Sequence, residues 1–468
     1  MIRKAWCPLL LIVACLTACG SSENAVDDAE GGGRIAADTV TLSRVREQIA
    51  FAWGKYVEHA WGHDELRPLS ASGSDWYARP MGLTIVDGLD TLLVAGLHDE
   101  ANAARAWIVS DLDLAVPSNV STFETNIRVL GGLLSAHALT GDPILLQKAV
   151  DVGDRLLPAF DTPTGMPRPE VNLSTGVASG AVSNVAQIGT WILEFGTLSR
   201  MSGDTRYVTA ARGALAALEA SRNPDTGLLG TSYDVDTGAP IVQIAQVGGG
   251  VDSWIEYLLK GGLLLGDPAL TASYHSVIDA VNEHLTERTN DGLWYGAGDP
   301  VSGRLMFPLT GALACFLPGT LTLGGDVVRG TDHGRACDVA RRHFGLLPDA
   351  FNYRTYGVAA ANHDLRPELV ESFVYLYRAT RDETWRERGR EVLETLIARC
   401  RVEDGYATLT DVRTGEHGDA MPSFFLAETL KYLYLLFADG ATLPLNAWVF
   451  NTEAHPLPVF PGPQRIGA

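Results

Sequence analysis

Apolar residues recur along the chain in long stretches at helical spacing, each closed by a glycine or short polar turn and then an aspartate. The stretches cover residues 128–142, 191–204, 254–267, 373–382 and 424–439, and their terminal aspartates lie 62, 63, 115 and 57 residues apart. Residues 311–325 fill the long gap, and 83–96 are an earlier copy of the plan, which makes seven units. Each unit is long enough for two helices, with the aspartate placed to cap the next one. Helix pairs of this kind bury their apolar faces against neighbouring pairs, and a closed ring leaves no exposed end. The pattern predicts an all-α fold: a toroid of seven helix pairs with the more apolar helices inside and short β elements in its loops. Glycine-rich loops such as 247–250 precede several inner helices and bring polar residues to one mouth of the ring.

Composition agrees with a folded chain. Of 468 residues, 46% are hydrophobic and 20% charged, far from the composition of disordered chains. Fifty-six acidic against 36 basic side chains give a formal charge of −20, which repels phosphate backbones and argues against nucleic acid as a partner. Neutral polyols or bound cations suit such a surface, as does a plain solubility role. No HExxH, phosphate-binding glycine loop or basic stripe with aromatics points to a zinc peptidase, a nucleotide hydrolase or an RNA binder.

The first residues run from charged Arg3 and Lys4 through a short apolar core to Leu16, Thr17, Ala18, Cys19 and Gly20. Residues 1–18 read as an export signal of lipoprotein type, with Cys19 as the lipidated first residue, and are too short for a span of about 20 apolar residues. Residues 19–40 read as a flexible tether and 41–460 as the folded domain. Three cysteines remain in that domain, Cys315, Cys337 and Cys400, so it holds at most one disulfide, with 315 and 337 the nearest pair in sequence.

Acidic residues recur at the starts of the expected inner helices: Asp87 and Asp90, Glu124, Asp252, Glu368 and Glu371, then Glu428. Any one of them alone is explained by the helix dipole. Convergence on one mouth points instead to a site. Glu124 and Arg128 are four apart, either a surface ion pair or an acid oriented by a guanidinium. His59 and His63 share a helical face without a third ligand and read as packing or surface residues.

Seven ordered motifs carry a resemblance: LTIVDGLDTLL at 83–93, FETNIR at 123–128, VDSWIEYLLKG at 251–261, CFLPGTL at 315–321, LRPELVES at 365–372, SFFLAETLKYLYLLF at 423–437 and FNTEAHP at 450–456. From residue 51 to Pro456 the chain resembles glycoside hydrolase family 47, the class I α-1,2-mannosidases. The resemblance implies an (α/α)7 barrel that cleaves terminal α-1,2-linked mannose with inversion, by an acid and a base set apart to admit water. By motif, Glu124 is implied as general acid, directly or through a water, Glu368 as general base and Asp252 as the third carboxylate. Arg128, Arg366, Glu371 and Glu453 are implied beside the substrate, with Phe424 the candidate for stacking on a sugar. FNTEAHP implies a calcium ion held by the hydroxyl and carbonyl oxygens of Thr452, with Glu371 and Glu453 around it.

Ala312, Gly250, Gln187 and Pro422 stand where the family's motifs commonly have His, Arg, Glu and Glu, which favours short mannosides or mannan fragments over a branched N-glycan. The expected partners are therefore α-1,2-mannosides such as mannobiose, mannan or N-glycan fragments. The protein is expected to be an exported bacterial lipoprotein, periplasmic or anchored to the outer membrane through Cys19, and a monomer. A lectin-like member of the same fold is the alternative, against which the three retained carboxylates argue. An epimerase or glucosidase on an α/α toroid would lack FNTEAHP.

Overall fold

The computed structural model describes residues 35–460, so the leader and Cys19 lie outside the described residues. The fold begins earlier than the expected boundary at 41. Ile35 is buried, and the Asp38 N–H donates to the Phe437 carbonyl at 2.9 Å, so the end of the expected tether is already packed.

Seven inner helices form the wall of a central cavity: α2 (Leu83–Val94), α4 (Gly131–Thr140), α6 (Ile192–Ser202), α8 (Asp252–Leu265), α10 (Leu317–Leu323), α12 (Glu368–Thr380) and α14 (Leu430–Phe437). Seven outer helices surround them: α1 (Thr39–Ala60), α3 (His98–Ser110), α5 (Pro143–Leu156), α7 (Arg206–Ala220), α9 (Pro268–His284), α11 (Val327–Phe344) and α13 (Thr384–Arg399). This is the (α/α)7 barrel that the repeat predicts. Inner helices are buried on almost every face, as in α8 from Ser253 to Gly262. Outer helices bury one stripe, as in α5, where Leu145, Ala149, Val152, Gly153 and Leu156 follow helical spacing.

The repeated aspartates do what their position predicts at most junctions. Asp142 accepts from the Ile144 N–H at 3.0 Å, Asp267 from Ala269 at 2.9 Å and Asp382 from Thr384 at 3.0 Å, holding the first turns of α5, α9 and α13. Asp439 instead accepts from Ala441 and Thr442 within a turn. The ring closes where the Thr91 hydroxyl of α2 donates to the Leu426 carbonyl beside α14, at 2.9 Å. Close approach of inner helices needs small residues: Gly319 donates its N–H to the Ser372 hydroxyl at 2.9 Å, where a Cβ would run into Tyr375.

Small antiparallel sheets line the loops and set where several inner helices begin. A strand entering an inner helix pairs with a hairpin that follows the outer helix: Asn119–Ser121 with Glu170–Asn172, Val182–Asn184 with Ser232–Asp234, and Leu309–Thr310 with Ala350–Asn352. The hairpin tips share one chemistry. Asn172, Asp234 and Asn352 each accept, through Oδ1, two backbone N–H groups of the turn, those two and three residues ahead.

Candidate active site

A cavity of about 300 Å³ opens at the mouth where the inner helices begin. Glu124, Asp252 and Glu368 line it together with Arg128, Arg366, Glu371, Phe424, Thr452 and Glu453, so the fold brings to one place the nine residues that the family resemblance implies. Glu124 follows the strand Asn119–Ser121, and its N–H donates to the Ser121 hydroxyl at 3.2 Å. Asp252 is the first residue of α8, fixed by the Ser253 N–H at 2.9 Å and preceded by Gly250, whose φ of +86° suits the turn into the helix. Glu368 opens α12 behind Pro367, and Leu365 takes a φ of +62° in the approach.

Arg128 lies in a π-helical segment, Thr125–Leu130, and Glu428 in a second, Phe425–Thr429. Such wide turns insert a residue into a helix and re-aim its side chains, and they recur at functional sites. The Arg128 guanidinium donates to Glu124 Oε2 through Nε at 2.8 Å and to Glu453 Oε2 through Nη1 at 2.8 Å. It also lies over the rings of Trp76 and Phe424, at 5.4 and 5.6 Å, while Arg366 lies 5.5 Å from the same Phe424 ring. Phe424 thus spaces two cations across the site.

Asp87 and Asp90 depart from expectation. Neither lines the cavity: α2 starts at Leu83, which carries both carboxylates past the rim into the interior, where they are fully buried. There His455 Nδ1 meets Asp90 at 2.7 Å and Nε2 meets Asp87 at 3.3 Å, and Lys431 pairs with Asp90 at 2.6 Å. Asp87 accepts from Ser423 and from Arg128, at 3.4 Å for the latter, so this buried network backs the wall of the site. Two carboxylates on one cationic histidine and one lysine satisfy charges that burial alone would expel.

Electrostatics in the cavity are dominated by desolvation. Burial pushes Glu368 up to about 7 against the opposing pull of Arg366, and pushes Asp252 up to about 7, with Glu368 adding to the rise. Glu371 is raised by burial although Lys260 donates to it at 3.2 Å. Glu453 is raised by burial although Arg128 opposes the shift, and Glu428 is raised by burial and by Glu453. Arg128 stays firmly charged, because Glu453, Glu124 and Asp87 outweigh the cost of its own burial.

The sequence reading missed Glu256, one turn beyond Asp252 within the VDSWIEYLLKG motif, which lines the cavity and pairs with Lys260. It also missed the support beneath Thr452. The Thr452 N–H donates to the Tyr257 hydroxyl at 3.2 Å, and that hydroxyl donates to buried Glu194 at 2.6 Å, which also accepts from Asn451 at 2.8 Å. His59 and His63 sit apart, on Asp404 and Asp75, at 3.1 and 3.0 Å. Cys315 and Cys337 are neighbours in the core, their sulfurs 2.6 Å apart.

Among the described residues no three His, Cys, Asp or Glu side chains converge as a metal cluster. A calcium ion held by one threonine needs no such cluster. Thr452 stands at the cavity among Glu256, Glu371, Glu428 and Glu453, and the whole lining carries seven carboxylates against the two guanidiniums of Arg128 and Arg366. Oxygen donors with surplus negative charge fit a hard cation.

The sequence profile of glycosyl hydrolase family 47 matches residues 48–459. Mannosyl-oligosaccharide 1,2-alpha-mannosidase IB of Mus musculus is 40% identical over 447 residues, 89% of this chain and 69% of that protein. ER degradation-enhancing alpha-mannosidase-like protein 2 of Homo sapiens is 40% identical over 449 residues, 88% of this chain and 77% of its own length. Among solved structures, the alpha-1,2-mannosidase from Trichoderma reesei superposes with a TM-score of 0.84 at 29% identity, covering 91% of this chain and all of that one.

Proposed function

The chain belongs to glycosyl hydrolase family 47, and on that premise we propose that it is a calcium-dependent, inverting, exo-acting α-1,2-mannosidase. It removes terminal α-1,2-linked mannose from short mannosides or mannan fragments. The observation that carries this reading is the convergence of Glu124, Asp252 and Glu368 on one cavity, in a chain 40% identical to a protein named as a mannosyl-oligosaccharide 1,2-alpha-mannosidase.

Glu124 is the general acid that protonates the leaving oxygen, directly or through a water, and Arg128 fixes its carboxyl by the Nε–H bond at 2.8 Å. Glu368 is the general base. Burial lifts it to about 7, which makes it a stronger proton acceptor for the attacking water than an ordinary carboxylate. Asp252, half-buried at the same rim, is the third carboxylate. Arg366 and Phe424 line the same cavity, the guanidinium 5.5 Å from the ring. Thr452 would hold calcium through its hydroxyl and carbonyl, with Tyr257 fixing its backbone from below. When bound, the ion supplies positive charge that ligates sugar hydroxyls and balances the surrounding carboxylates.

Residues 1–18 act as a lipoprotein leader and Cys19 as an anchor, placing a bacterial enzyme outside the cytoplasm to degrade external glycans or mannan. Incubation of the purified protein with α-1,2-mannobiose tests the reading. Mannose release that stops on chelation and returns with calcium supports it. Calcium-dependent binding without release assigns the chain to the lectin-like alternative.

A further inference from the structure

Behind the catalytic pocket lies a second, smaller cavity of about 20 Å³, lined by His363, Glu368, Ala312, aliphatic side chains that include Leu347 and Leu369, and Arg341 and Arg366, whose guanidiniums donate to Asp338 and Glu391 and to Asp349. Two buried polar atoms among these residues have no hydrogen-bond partner: His363 Nε2 and Glu368 Oε2. The chemistry of each is settled by its surroundings. His363 Nδ1 lies 2.8 Å from the Leu347 carbonyl, which only accepts, so Nδ1 carries the proton. Burial pushes this histidine down to about 4, which keeps the ring neutral and leaves Nε2 as a lone-pair acceptor. The His363 backbone is held as well, paired in both directions with Leu409 at 2.9 Å.

Glu368 Oε2 is an acceptor too once the carboxylate is ionised. Two acceptors cannot bond to each other, and a buried polar atom left unpaired is destabilising. A molecule that donates twice satisfies both, and a cavity needs only about 10–15 Å³ of such space to admit one water. Ala312 ends in a methyl group, which leaves the room open.

We infer that His363 is a positioning residue for Glu368, acting through one buried water that donates one hydrogen to His363 Nε2 and the other to Glu368 Oε2. The water locks the carboxylate from behind and leaves its other oxygen to the catalytic pocket, which Glu368 also lines. The kinetic consequence rests on the mannosidase reading; the water itself does not.

Two measurements test this. A crystal structure of the unaltered protein at about 1.5 Å resolution shows a density peak within about 2.6–3.2 Å of both atoms; a dry cavity overturns the inference. In kinetics on α-1,2-mannobiose, His363→Phe keeps a ring of similar volume but removes the acceptor, and lowers kcat about tenfold with KM changed less than about twofold. His363→Gln, which restores a polar atom, recovers most of the loss. An unchanged kcat in His363→Phe, or a loss that His363→Gln does not recover, overturns the positioning role. Should His363→Phe fail to fold, the crystallographic result decides. If the unaltered protein releases no mannose, the mannosidase reading fails while the density at the cavity still decides the water.

Discussion

Arg128 and Glu124 lie four residues apart, and the Arg128 Nε–H reaches Glu124 Oε2 at 2.8 Å while the rest of the same guanidinium is occupied by Glu453 and Asp87. One buried cation therefore fixes the proposed acid and neutralises two carboxylates behind it. Arg128→Met leaves Glu453 buried without its cation and Asp87 with only His455 and Ser423, and is expected to destabilise the fold by about 3–5 kcal/mol. Arg128→Lys keeps the charge but cannot span all three acceptors, and should fold while losing about a hundredfold in kcat. Denaturant melts and steady-state kinetics on both variants check this, and a fully active Arg128→Lys would contradict the orienting role.

Glu124→Gln keeps the shape and the contact with Arg128 but removes the proton donor. Turnover is expected to fall about 10²–10⁴-fold while calorimetry still detects mannoside binding. Unchanged turnover would remove Glu124 from the acid role.

The raised Glu368 sets the acid limb of the pH profile. A general base must be ionised, so kcat/KM should rise with pH through a midpoint near 7, not near the ordinary carboxylate value. Rates from pH 4.5 to 8.5 measure it. A limb centred at the ordinary carboxylate value would mean that Glu368 is not the titrating base.

Glu194 makes the opposite contribution to stability from most acids. Burial raises it to about 7, despite hydrogen bonds from Tyr257 and Asn451. Between its unfolded value and 7 the native state therefore holds more protons than the unfolded one, and stability falls as pH rises through that window. Glu194→Gln mimics the protonated form, and should remove about 3 kcal/mol of that pH dependence between pH 4 and 8. Urea midpoints of both proteins across this range test it, and parallel curves would show that Glu194 titrates alike in the native and unfolded states.

The seven helix pairs were legible because a period near 60 residues repeats an apolar helix, a glycine and an aspartate, and Asp142, Asp267 and Asp382 do begin the outer helices. The site was legible because its carboxylates open inner helices, and the ring brings those starts together. Strands of two to four residues carry too little alternation to be seen. Their turns did leave a trace, an Asn or Asp followed by x-x-Thr-Gly at 172–176, 234–238 and 411–415, with glycines at φ +73°, +73° and +76°. The depth of Asp87 and Asp90 is not legible, because sequence shows that an acid is early in a helix, not how deep the helix starts. Glu194, Tyr257 and Asn451 meet only because the ring closes, and nothing in their separate segments joins them.

The most direct test of the central claim is the anomer first released from α-1,2-mannobiose, followed by proton NMR before mutarotation. A single displacement by water, with Glu124 as acid and Glu368 as base, predicts β-mannose as the first product. Initial α-mannose would contradict the account.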